Sequence, residues 1–266
     1  MTAQQYRKQW LKLHRSYEKR AFRIFRKGLR KAARRIPFDS LDEFNYKTSI
    51  EFNIAESDIY ESYFRAYLSI GILYGNRVVR GIKKDTKSLE LQDFQFAYKQ
   101  QLQTWLLDNV GLKIKTVKQS LIDYLLKEIS NGIEEGYDIR EISKRIQKLV
   151  NSRSFYRWQA MRIARTETTA AANYGASVAT DRSVFVLDKI WISSNDARTR
   201  QIEKGDKHDH IDMHLVKVGE KDLFNVQGDY LRFPGDPKGS ASNVINCRCT
   251  VALKPKRDKN GRLIRK

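Results

Sequence analysis

Apolar residues recur at three- and four-residue steps through the first two thirds of the chain, and after Asp181 the pattern changes to alternation. In residues 5–35, Trp10, Leu11, His14, Tyr17, Ala21, Ile24, Phe25 and Leu29 make a stripe near the helical period, which predicts one long amphipathic helix. Pro37 stops it, and the polar, aromatic stretch to residue 53 reads as irregular. Ile59, Tyr63, Tyr67, Ile70, Tyr74 and Val78 predict a second helix over residues 56–83, with that stripe as a core face. Two more are expected over residues 89–109, ended by Gly111, and 113–130, ended by Gly132. Asp138 and Glu141, three apart, have the spacing of a capping box and start a helix to about residue 150. The last helix, about residues 154–178, changes character at Arg165. There Ala170, Ala171, Ala172, Gly175 and Ala176 leave so little bulk that another element should approach closely.

From residue 184 the alternation puts Val184, Val186, Asp188, Ile190 and Ile192 on one strand face and Phe185, Leu187 and Trp191 on the other. Residues 213–218, 222–227 and 243–253 supply further short strands, separated by Gly219, Gly228 and the turn Pro234-Gly235-Asp236-Pro237. The fold class is therefore α+β, a mainly helical N-terminal region with a small β-containing C-terminal module. The expected segments are a basic amphipathic helix (1–36), a helical domain (37–181), the α+β module (182–253) and a basic, mobile tail (254–266).

Charge sharpens this picture. Lys and Arg number 51 against 31 Asp and Glu, a formal net charge of +20, which concentrates polyanions around the protein. The first helix carries Arg7, Lys8, Lys12, Arg15, Lys19, Arg20, Arg23, Arg26, Lys27, Arg30, Lys31, Arg34 and Arg35 against the single acid Glu18. Arg15, Lys19, Arg23, Arg26, Lys27, Arg30, Lys31 and Arg34 are the candidates for nonspecific contact with double-stranded DNA. An ordinary solvated face, an acidic protein surface and a membrane surface are the competing readings; the scarcity of acids favours a polyanion. No apolar run approaches the ~20 residues needed to cross a bilayer, and the N-terminus lacks the apolar region of a secretory signal. Two cysteines one residue apart make a poor disulfide framework, so a reducing compartment is expected.

Three of the four histidines, His208, His210 and His214, and both cysteines, Cys247 and Cys249, lie in the terminal block. In an extended segment 245–249 the two thiols share a face and Arg248 points the other way. His210 and His214 could join them around tetrahedral zinc, the one cofactor the residues suggest; the alternative is a pair of small buried hydrophobes. An enzyme would use His214 or His210 as general base, with Arg198 and Arg200 stabilising phosphoryl charge and Asp196 orienting them. Asp-x-Arg-x-Arg suits a hydrogen-bonded scaffold equally well, with Trp191 in a small core, Asn243 and Asn246 tying loops, and Pro234 and Gly235 fixing a turn. The scaffold asks least of these residues, and no catalytic residue is assigned.

Residues 164–176 (ARTETTAAANYGA), Trp191 with Asp196-x-Arg198-x-Arg200, His214 followed by Gly219, residues 230–243 (YLRFPGDPKGSASN) and residues 245–249 (INCRC) follow one another in an order that resembles the phage Mu protein F-like minor head proteins. The resemblance covers roughly the C-terminal hundred residues. One departure is the insertion QIEKGDKHDHIDM between the Arg pair and His214, the best match to the family histidine ahead of His210. The resemblance marks Arg165, Glu167, Trp191, Asp196, Arg198, Arg200, His214, Pro234, Asp236, Asn243, Asn246, Cys247, Arg248 and Cys249 as a structural signature. It implies a non-enzymatic minor capsid protein of a tailed phage, made in the host cytoplasm and held inside the capsid near the portal. Its implied partners are the portal, capsid or scaffold proteins and packaged double-stranded DNA, without a membrane, and its implied work is head assembly and DNA packaging or ejection. A nuclease-like or zinc-bearing enzyme and a free-standing DNA-binding protein are the alternatives.

Overall fold

The computed structural model describes residues 2–86 and 91–266. Helix α1 (Ala3–Ala33) opens on a reciprocal capping box, Thr2 Oγ1 accepting the Gln5 N–H at 3.2 Å and Gln5 Oε1 accepting the Thr2 N–H at 2.9 Å. Its buried positions include Trp10, His14, Tyr17, Ala21, Phe25 and Leu29, the core of the predicted stripe. The stretch expected to be irregular instead holds a short 3-10 turn (Phe38–Ser40) and helix α2 (Tyr46–Asn53). Asp42 Oδ1 accepts the N–H groups of Phe44 and Asn45, which turns the chain into α2 and seats Ile50 in the core.

Helix α3 (Glu56–Thr86) covers the second predicted helix. The expected start of the next, at Leu89, lies outside the described residues. Helix α4 (Leu91–Glu134) then runs unbroken through Gly111 and Gly132, correcting the two expected stops. A glycine ends a helix when the chain turns left-handed there, and after α4 that happens at Gly136, with φ 83°. Leu106, Val110, Ile114 and Leu121 carry one buried stripe straight past Gly111. Gly132 serves packing instead: a Cβ there would lie 2.7 Å from the Ile142 side chain of helix α5 (Ile139–Asn151). That helix starts as expected at Asp138, whose carboxylate accepts the Glu141 N–H at 2.8 Å.

Helix α6 (Arg157–Asp181) is the central rod, packed against both α1 and α3. The close approach expected from its small residues occurs at Gly175, where a Cβ would meet the Gly71 carbonyl oxygen of α3 at 2.3 Å. Ala170, Ala171, Ala172 and Ala176 are fully buried around that crossing.

The C-terminal module is α+β. Strand β1 (Leu187–Ile192) lies between β2 (Lys217–Val218) and β5 (Thr250–Pro255), antiparallel to both, with Trp191 opposite Val251. Phe185, Leu187, Lys189 and Trp191 face the interior. Strands β3 (Phe224–Val226) and β4 (Asp229–Leu231) make a hairpin. Its two loop residues, Gln227 and Gly228, both have positive φ (45° and 90°), as a tight two-residue turn requires. The strand expected over residues 243–253 is shorter: helix α7 (Ala241–Val244) and a reversal at Asn246, φ 59°, precede β5. The terminal residues, expected to be a mobile tail, fold back on the chain ahead of β1 through Val186 N–H to Ile264 O (2.9 Å) and Lys266 N–H to Val184 O (3.0 Å). Among the described residues no helix is long and apolar enough to cross a membrane.

Candidate functional site

One face of α1 is spent on the C-terminal module and on α6 at four-residue steps, the spacing that keeps side chains on one side of a helix. Tyr6 Oη donates to the Val251 carbonyl (3.1 Å) and Trp10 Nε1 to the Arg248 carbonyl (2.7 Å). His14 Nε2 lies 3.0 Å from Thr169 Oγ1, and Glu18 Oε1 accepts two hydrogen bonds from the Arg165 guanidinium (3.2 Å each). Thr169 gives its hydroxyl proton to the Cys247 carbonyl, so His14 is the donor to it. Burial, reinforced by Arg248, Arg165 and Arg198, lowers the His14 pKa to about 3.

Helix α6 answers with its own polar line. Thr166 Oγ1 accepts the Asn246 N–H at 3.0 Å. Fully buried Asn173 donates to the carbonyls of Pro234 (2.8 Å) and Cys249 (3.3 Å) and accepts from the Thr250 hydroxyl (2.9 Å) and the Val251 N–H (3.2 Å). All four of its hydrogen-bonding places are thereby filled. Glu167, also buried, accepts from Tyr67 Oη (2.7 Å) and Lys113 Nζ (2.9 Å), tying α6 to α3 and α4. Thr166, Thr169 and Asn173 were not singled out from the sequence. The signal available was their spacing: polar side chains on one face of an otherwise alanine-rich run.

Asp196 grips Arg248 through two short hydrogen bonds, 2.6 and 2.5 Å, and those bonds hold its carboxyl below the usual range. It does not orient the guanidinium groups of Arg198 and Arg200, as the enzyme reading required. Arg198 is exposed and gives Asp196 only its backbone N–H (3.1 Å), while the Arg200 guanidinium donates to the Ile245 carbonyl. Fully buried Asp236 receives Arg232 Nε and Nη2, both at 2.7 Å; burial pushes its carboxyl up, but Arg232 more than reverses this. Arg232 is another residue the sequence did not mark. Gly235, at φ 78°, passes so close to α6 that a Cβ would lie 2.9 Å from Thr169 Cγ2.

Beneath Trp191, whose ring meets that of His210 edge-on at 5.4 Å, the structure gathers His210, Cys247 and Cys249 with their donor atoms within 4.8 Å of one another. Both thiols turn to one side and Arg248 to the other, as alternation predicts. Burial pushes the Cys249 thiol up, but its contacts with Cys247 and His210 outweigh it and hold the thiol well below its ordinary range. Cys247 is driven up by the same contact with Cys249 and by burial. The fourth residue of the predicted metal set, His214, stands outside this group. Its Nδ1 accepts the Ser193 N–H at 3.3 Å, and burial together with Arg7 lowers its pKa. His208 is occupied by Val226 O and the hydroxyls of Ser240 and Ser242.

The DNA-binding candidates on α1 divide in two. Arg26, Arg30 and Arg34 reach across to the end of α5, donating to Arg153 O, Ser152 O and Asn151 Oδ1, and Lys31 pairs with Asp58 at 2.8 Å. Arg15, Lys19, Arg23 and Lys27, again four apart, are exposed and make no hydrogen bond or ion pair among the described residues.

Residues 123–252 match the family model described as Phage Mu protein F like protein. Among curated relatives, the uncharacterized protein YqbB of Bacillus subtilis (strain 168) is 25% identical over 150 residues, which is 56% of this chain and 47% of that protein. The chain thus spans about half the length of that relative. No solved structure matches it.

Proposed function

From the premise that this chain belongs to the Phage Mu protein F like family through residues 123–252, we propose that it is a minor head protein of a tailed phage, acting in head assembly and in the passage of DNA. In this reading it sits inside the capsid near the portal, in few copies, against portal and capsid or scaffold proteins. The observation that carries the reading is that family match, and the closure of the matched region agrees with an architectural role. Asp196, Arg200, Asn243 and Arg248 of the signature are spent on other side chains and on backbone carbonyls. The nuclease-like alternative has less support, because Asp196 is committed to Arg248, His210 is only 1% exposed, and the Nδ1 of half-buried His214 is taken by the Ser193 N–H.

The free cations at residues 15, 19, 23 and 27 support contact with packaged DNA. They lie on the face of α1 turned away from its docked residues and spell out no base-reading motif, so the contact is with phosphates. The test is mass spectrometry of purified virions, with an isogenic phage lacking the gene as partner. The protein should be found in the particles, and its loss should lower the yield of infective heads. Virions that lack the polypeptide would overturn the assignment.

A further inference from the structure

We propose that His210, Cys247 and Cys249 bind one zinc ion through Nδ1 and the two Sγ atoms. Nδ1 lies 3.7 Å from Cys247 Sγ and 3.6 Å from Cys249 Sγ. Zn–N bonds of about 2.0–2.1 Å and Zn–S bonds of about 2.3 Å at a tetrahedral angle separate nitrogen from sulfur by about 3.6 Å. A network of thiol hydrogen bonds explains the arrangement less well. An imidazole nitrogen has one lone pair and accepts one S–H, yet two sulfurs stand at equal reach of it.

The surroundings fix which nitrogen faces the sulfurs. Asp229 Oδ2 accepts Asn243 Nδ2 at 3.0 Å, which turns Asn243 Oδ1 toward His210; that oxygen lies 2.6 Å from Nε2 and takes its proton. The Nδ1 lone pair is then bare and aimed at the thiols. A carboxylate or amide oxygen holding the far N–H of a ligating histidine is the usual outer support of a metal site. All three donors are at most 2% exposed, and Trp191 packs on the imidazole. Two soft sulfurs and one imidazole suit zinc among the divalent ions. These three donors leave the fourth position of a tetrahedral ion open; Ser193 Oγ lies 4.0 Å from Cys249 Sγ. Zinc here fastens the loop carrying His210 to the segment before β5, 37 residues further along the chain. This inference is independent of the proposed role in the virion.

The experiment is metal analysis of the full chain purified without chelator, alongside Cys249→Ser, His210→Ala and His214→Ala. The wild type should carry about one zinc per chain, the first two variants should lose it, and His214→Ala should keep it. Because a core variant can fail to fold, the wild-type protein is also reloaded with cobalt. Thiolate-to-cobalt charge-transfer bands with the visible bands of a tetrahedral ion support the site. Wild-type protein that holds no zinc and gives no such bands overturns it, and zinc lost from a folded His214→Ala overturns the three-residue donor set.

Discussion

The crossing of α3 with α6 and the seam between α6 and the C-terminal module are both fully buried, and they are held by opposite means. At the crossing the side chains are nearly absent: Gly71, Gly175 and a run of alanines let two backbones touch, so contact area does the work. At the seam the side chains are polar, and Thr166, Thr169 and Asn173 replace water as hydrogen-bond partners for the irregular backbone of residues 245–249 and for the outer edge of β5. Such a backbone has no ladder to satisfy it, and each group left bare inside costs the full desolvation penalty. The apolar crossing is thus sensitive to added volume, and the polar seam to a missing partner, to protons and to metal.

Removing a partner from the seam should have the largest effect. Asn173→Ala takes a partner from four buried groups, of which Thr250 keeps Tyr74, and is expected to cost about 3–5 kcal/mol in urea unfolding. A cost under about 1 kcal/mol would mean that water fills the place and that the seam is not closed. Adding volume at the crossing comes next. Gly175→Ala drives a methyl into the Gly71 carbonyl and should cost about 1–3 kcal/mol, with little change at the seam.

Protons separate the two regions more finely. His14 stays neutral in the fold down to about pH 3, whereas the unfolded chain protonates it near its ordinary pKa of 6.5. A depressed folded pKa gives stability that is complete above pH 6.5 and is lost as pH falls toward 3. The expected loss between pH 7 and pH 5 is about 2 kcal/mol. His14→Gln should flatten that slope, leaving the smaller contribution of His214, which has the same sign. An unchanged slope would place the titrating group elsewhere. The smallest effect on stability belongs to the outer face of α1. Replacing Arg15, Lys19, Arg23 and Lys27 by Gln should move stability by less than about 0.5 kcal/mol. The same variant should make duplex DNA binding less salt-dependent, by up to roughly 0.9 in log–log slope for each phosphate it no longer neutralises. Unchanged binding would remove α1 from the DNA interface.

Much of this was legible along the chain because it is local. The stripe of α1, the Asp138 cap, the small-residue run of α6 and the shared face of the two cysteines each depend on neighbours within a few residues. The glycines of α4 misled because a glycine ends a helix only where the chain needs positive φ, and nothing at Gly111 demands it. The seam was illegible for a different reason. Trp10 meets Arg248 across 238 residues, and a buried hydrogen bond to a carbonyl has no side-chain partner to find in sequence. The basic face of α1 shows both limits at once: composition gave its charge, but only packing separates Arg26, Arg30 and Arg34, spent on α5, from the four that are free.

The central claim is that the family-matched region is a closed architectural clasp anchored on α6. Residue-resolved hydrogen exchange tests it most directly, at the Asn246 amide bonded to Thr166 and the Val251 amide bonded to Asn173. Both should exchange only through the same opening that exposes the core amides of α6, with the same free energy. Fast exchange at these two amides while α6 stays protected would contradict the account.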